Sequence, residues 1–137
     1  MGGPLRMAAL AAAGLIVFAA GFAAGQHAAP AGDQLVEQTL LATIDLAKAV
    51  EDVRDRELRL NRVTIAPHGH IGLHSHVDDP TVVYMLAGVL TNHHDDGTTE
   101  DLRPGQAFAE FGLKAHWVEN NGSTPAAFVF ASVSRKQ

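Results

Sequence analysis

The chain has no cysteine among its 137 residues, which excludes disulfide staples, thiolate metal sites and cysteine nucleophiles together. Basic charge is also scarce: ten Lys+Arg stand against 15 Asp+Glu, for a net charge of −5. A nucleic-acid binder of this size carries a basic face, so no nucleic-acid partner is expected. Aromatic residues amount to 6%, with one tryptophan, Trp117, and one tyrosine, Tyr84. Hydrophobic residues still make up 47% and charged residues 18%, which suits one compact globular domain rather than a disordered chain. Histidine is what the chain has in excess. Seven of its eight histidines lie between His68 and His116.

The only long apolar run is N-terminal. Arg6 precedes an Ala-rich stretch from Met7 to Ala24, followed by Gly25-Gln26. A basic start, an apolar middle and small residues near a cleavage point make a secretory signal, with cleavage after Ala23 or Gly25. An uncleaved membrane anchor is the alternative, since about 20 apolar residues span a bilayer; Gly14 and Gly21 weaken that span. Either way the functional part is exported, to the periplasm or beyond, or anchored facing the envelope. The chain thus divides into a signal or anchor at 1–25, a Pro/Gly/Ala linker at 26–35, and one domain at 36–137.

Within the domain the pattern is β. Val36–Val53 is ambiguous, because Leu40, Leu41, Ile44, Ala47 and Val50 suit a helical face whereas Thr39–Leu46 reads equally as a strand. Leu58 and Leu60 alternate, then Val63 and Ile65 alternate in the other phase, which predicts a bulge near Asn61-Arg62. Further strand-like runs cover Thr81–Leu86, Val89–His93, Thr98–Leu102, Gln106–Glu110, His116–Glu119 and Ala126–Val133. Gly88, Asp96-Gly97, Pro104-Gly105 and Asn120-Asn121-Gly122 supply the turns between them. Short strands at regular spacing predict an all-β barrel or sandwich.

His74-Ser75-His76 places two imidazoles at i and i+2, on one face of a strand. Facing a barrel interior, they converge where one metal ion binds both; facing out, they are two surface histidines on an edge strand. His116 opens another hydrophobic run and is placed to be a third ligand.

The spacing around these histidines carries a resemblance. His74-Ser75-His76, four residues, Thr81, six residues and Gly88 follow the first motif of the cupin superfamily, HxH(x)3–4E(x)6G. Pro104-Gly105 and then His116 with Asn120 four residues on resemble the second motif. The stretch Arg62–Val133 is therefore similar to the small single-domain bacterial cupins. The resemblance implies a double-stranded β-helix, a jelly-roll barrel, with His74, His76 and His116 as ligands of a divalent transition metal: iron, or else zinc, nickel or manganese. It also implies a homodimer, because small cupins pair through sheet edges. Two positions depart from the pattern. Thr81 stands where the motif has glutamate, and His68 with Gly69 displaces a glycine expected six residues before His74. Asp78 or Asp79 are the candidates to restore the carboxylate.

On this resemblance the chain is an exported cupin with an all-imidazole site, open to a small organic substrate and acting as an oxygenase of dioxygenase type. The alternatives are a metal-dependent isomerase or lyase using the same residues, and a non-catalytic module that captures a metal or small ligand. His68, His70 and Tyr84 are the candidates to assist catalysis at the mouth of the site. His93-His94-Asp95-Asp96 is a solvated turn or a surface metal site, and Glu51–Arg62 a solvated face. Phe108, Phe111, Phe128 and Phe130 are expected in the core, with Trp117 opposite His116, outside or in an interface.

Overall fold

The computed structural model describes residues 28–136; the signal or anchor expected at 1–25 and His27 lie outside them. Six strands form one continuous sheet: β1 (Gln34–Asp45), β2 (Arg56–Ala87), β3 (Leu90–His94), β4 (Thr99–Leu102), β5 (Ala107–Glu119) and β6 (Ala126–Arg135). Among the described residues no helix is long and apolar enough to cross a membrane. The ambiguous segment after Val36 resolves as the end of β1, followed by a single 3-10 turn, Leu46–Lys48. Its pairing with β2, from Val36↔Ile65 to Asp45↔Glu57, outweighs a helical pattern that has no partner face to bury.

The 32-residue β2 makes the barrel. Its first part, residues 56–65, lies between β1 and β6, and its last part, from Thr81, pairs with the opposite side of β6 and with β5. Its middle, around His74, pairs with the far half of β5, which in turn carries β3 and then β4. The sheet is thereby wrapped on itself as a jelly roll. Odd-numbered residues in the first and last parts of β2 face the interior, where Val63, Ile65, Val83 and Met85 pack with Leu90, Leu102, Val118, Ala126 and Phe128; in the middle of the strand the phase changes and the even-numbered His74 and His76 face in. Burying side chains such as Ile65 and Met85 contributes about 1.5–3 kcal/mol each.

Gly88 ends β2 with φ +69°, and a Cβ there would meet the Ala126 Cα at 2.6 Å. The glycine of the first motif is thus required both by its left-handed backbone and by the approach of β6.

Several expectations need correction. The change of phase near Asn61-Arg62 is not a bulge in β2, which pairs with β6 without a break from Arg56↔Arg135 to Ile65↔Ala126. The irregularity lies in β1, between Leu40 and Ala42, and Leu60 belongs to the outer face, where it is exposed. Phe111 is not core: it follows Glu110 on the outward side and is 74% exposed. Trp117 does lie opposite His116 in the strand alternation, but it is buried, because the His93 ring stacks on it at 3.8 Å and 5°. The described end of the 26–35 linker is not free. The Leu73 amide donates to the Pro30 carbonyl at 2.7 Å, and the Gly72 amide donates to Asp33 Oδ1 at 2.9 Å. Gly72 permits this contact, since a Cβ there would stand 2.6 Å from the Gly32 nitrogen.

Candidate metal centre

Strand period and cross-strand register together assemble the site. His74 and His76 share the inner face of β2, and His74 sits directly opposite His116 of β5. The ladder is irregular on either side of His76, where it passes Gly112 (φ +83°) and then resumes at Thr81↔Glu110. This irregularity brings three imidazoles into one cluster, with ring centroids 4.4–5.3 Å apart. One ligating nitrogen from each of His74, His76 and His116 lies within 4.8 Å of the others.

The remaining nitrogens are occupied elsewhere. His74 Nδ1 faces the Gly72 carbonyl at 2.8 Å, and His76 Nδ1 faces the Asp79 carbonyl at 3.1 Å and Thr81 Oγ1 at 3.2 Å. His116 Nδ1 faces Asn92 Oδ1 at 2.9 Å. An Nδ1 facing an oxygen acceptor carries the proton, so in its neutral form each ring turns its lone-pair nitrogen, Nε2, toward the others. His76 Nε2 and His116 Nε2 are only 3.2 Å apart. Two lone pairs at that distance require a proton or a cation between them. The donor set, three neutral imidazoles held by hydrogen bonds through their other nitrogens, suits a divalent transition metal.

Glu110 is the residue that sequence reasoning missed. Its Oε2 lies 3.1 Å from His76 Nε2 and its Oε1 3.5 Å from His116 Nε2, and its side chain is 16% exposed. The Glu110 hydrogen bond raises His76 above its ordinary 6.5, against the effect of burial. Burial pushes His116 down to about 4, although the Glu110 carboxylate pulls the other way. Burial raises the Glu110 carboxyl, but the His76 hydrogen bond and the positive charge of the three histidines outweigh it and hold Glu110 below 4.5. One signal in the sequence pointed here: Phe108 and Glu110 have the same parity, so a core Phe108 turns Glu110 inward.

The carboxylates expected to stand in for Thr81 do not do so. Asp79 Oδ1 accepts a hydrogen bond from Ser134 at 2.7 Å, and the Asp78 carboxylate faces Arg56 and Arg135. Nor does the structure bring His68, His70 and Tyr84 to the cavity wall. His68 is exposed at a left-handed position, φ +64°, and His70 lies in the ladder between Gln34 and Glu119. Tyr84 alternates with the buried Val83 and Met85 and therefore points outward, 47% exposed. His93 and His94 pair with Glu119 and Glu100. Asn120, four residues beyond His116, is structural: it donates to the Ile65 and Thr124 carbonyls and accepts from the Gly122 amide.

The three histidines and Glu110 line a cavity of about 350 Å³. Val63, Val83, Met85, Phe108, Phe128 and Phe130 supply apolar walls, and Ala31–Asp33 also line it. Phe108, Phe128 and Phe130, expected in the core, thus also line the cavity.

A family model described as a cupin domain matches residues 61–132, more than half of the chain. The chain belongs to the cupin family. Solved cupin-like structures share its fold at low identity. A predicted oxalate decarboxylase from Thermotoga maritima is 22% identical with a TM-score of 0.58, over 72% of this chain and 80% of that one. The polyketide cyclase RemF from Streptomyces resistomycificus is 22% identical with a TM-score of 0.61, over 79% and 72%. The Cupin_2 domain of an XRE family transcriptional regulator from Enterobacter cloacae is 18% identical with a TM-score of 0.55, over 76% and 100%. No curated protein sequence matches the chain. At these identities the neighbours establish the fold and leave the reaction to the site.

Proposed function

We propose that this cupin is an exported, metal-dependent oxygenase of a small organic substrate, with His74, His76 and His116 as its metal ligands. The observation that carries this reading is the set of three imidazoles whose Nδ1 atoms are all engaged by oxygen, leaving three Nε2 atoms converging in a largely apolar cavity. A divalent ion such as iron supplies Lewis acidity and redox capacity there. The chain's own residues do the rest. The fixed imidazoles set ligand geometry, Phe108, Phe128 and Phe130 exclude water and favour an apolar substrate body, and Asp33 anchors the lining segment Ala31–Asp33 through the Gly72 amide.

Export rests on the N-terminal sequence, and pairing into a homodimer on the apolar outer face of β2, where Leu60, Val82, Tyr84 and Leu86 are exposed. The test is elemental analysis of purified protein beside a His74→Ala/His76→Ala variant, then oxygen uptake with thiols, diketones and phenolics. The wild type is expected to hold near-stoichiometric metal that the variant lacks, and to consume oxygen with one substrate class. Equal trace metal in both proteins overturns the metal site. Metal binding with no uptake across the panel overturns the oxygenase in favour of a binding module.

A further inference from the structure

Thr81 and Glu110 are direct cross-strand partners in the β2–β5 ladder. Paired residues on one sheet face have Cβ atoms about 4.5–5.5 Å apart, so a glutamate at 110 reaches the space that a glutamate at 81 would have filled. Thr81 leaves that space open. Its short side chain is buried, and its hydroxyl donates to the Asp79 carbonyl at 2.8 Å while lying 3.2 Å from His76 Nδ1, on the side of that ring away from the cluster. Glu110 is bound toward the cluster instead. Its two oxygens straddle the two nitrogens that face one another, 3.1 Å from His76 Nε2 and 3.5 Å from His116 Nε2. Among the described residues no lysine or arginine pairs with Glu110; its ion-pair partners are these two histidines. A carboxylate so buried needs a cation, and the only basic groups at hand are the rings whose lone pairs are to be shared with one.

We infer that Glu110 is a fourth protein ligand of the metal centre, carrying across the ladder the carboxylate that position 81 lacks. The inference rests on the three-histidine reading above. It makes the centre three imidazoles and one carboxylate rather than all-imidazole. One negative charge against a divalent ion lowers the charge left at the open positions and tightens retention of the metal.

The test uses the full chain stripped of metal and titrated with Co2+ as the probe, read by the visible d–d spectrum and by the dissociation constant. Glu110→Gln keeps the size and removes the charge; Glu110→Gln/Thr81→Glu moves the carboxylate back across the pair. Glu110→Gln is expected to weaken Co2+ binding by about 100-fold, the upper end of what loss of an outer partner alone costs, and to change the band intensities. The double variant is expected to recover both. Co2+ affinity and spectrum unchanged in Glu110→Gln overturn the inference and leave the three-histidine site standing. Co2+ binding unchanged in His74→Ala/His76→Ala overturns that site and the inference with it. Circular dichroism of each metal-free variant separates lost ligation from lost fold, and failure of the folded double variant to regain affinity also counts against the inference.

Discussion

His116 donates its Nδ1–H to Asn92 Oδ1 over 2.9 Å in the barrel interior. This one bond decides which nitrogen of His116 faces His74 and His76. Asn92 is itself oriented, because its Nδ2 donates to Glu100 Oε1 at 3.2 Å. His116 on β5 is therefore positioned by Asn92 of β3, and Asn92 by Glu100 of β4. Asn92→Ala leaves a buried imidazole N–H without an acceptor, at a cost of about 1–3 kcal/mol, and frees the ring to turn. Metal affinity is expected to fall by about 10–100-fold, measured by competition with a chromophoric chelator. An unchanged affinity would show that the neighbouring strands alone fix the ring.

The titration of His116 predicts how the metal-free protein responds to acid. Its unfolded value is the ordinary 6.5 and its folded value about 4. Between these values the unfolded chain binds a proton that the native state refuses, so stability falls as the pH drops from 6.5 to 4. A shift of this size is worth about 3 kcal/mol at most. His76 is raised, so its contribution is complete below 6.5 and is lost only as the pH rises through its folded value. Glu110 is lowered, and its contribution disappears only below 4.5. The window between is then governed by His116. Urea midpoints of the metal-free protein are expected to fall with pH across that window, and His116→Gln to flatten the slope. A wild-type slope that persists in His116→Gln would assign the effect elsewhere.

Gly88 and Gly97 offer a controlled comparison. Both have positive φ, +69° and +83°, but a Cβ at Gly97 meets nothing within 4 Å whereas one at Gly88 meets Ala126 at 2.6 Å. Gly97→Ala is expected to cost about 1–2 kcal/mol for the left-handed backbone alone. Gly88→Ala adds overpacking of about 1–3 kcal/mol. Thermal denaturation of the two variants compares them directly; equal losses would mean that β6 yields freely at Ala126.

Val82 and Leu86 share the outer face of β2 with Leu60 and Tyr84, exposed at 58% and 41%. If a second copy covers this face, Val82→Glu/Leu86→Glu converts a dimer to a monomer without loss of fold. Sedimentation velocity over a wide concentration range measures this. A wild type that is monomeric throughout would refute the pairing.

Much of the fold was legible because its signals are local. The i, i+2 spacing of His74 and His76 puts both imidazoles on one strand face wherever the strand lies. The turn residues at Gly88, Asp96-Gly97 and Pro104-Gly105 mark strand ends without reference to any partner, and the apolar alternation from Val63 to Ile65 names a core face. His116 was marked as a third ligand by its place at the start of a hydrophobic run, and then by its match to the second motif. Position 81 showed a missing carboxylate but could not show where a replacement would come from.

The sequence by itself thus determined an all-β domain with two histidines on one face of a strand and a third at family spacing. Tertiary structure alone decided that Phe108 turns in while Phe111 turns out, that β1 is a strand, and that Tyr84 points away from the cavity. It also decided that Thr81 stands opposite Glu110. The reason is register: side-chain alternation repeats every two residues along one strand, but the alignment of β2 with β5 depends on irregularities near His76 and Gly112. A change of one residue there would send Glu110 to the outer face. The candidate metal site owes its histidine pair to the first kind of information and the Glu110 carboxylate beside it to the second.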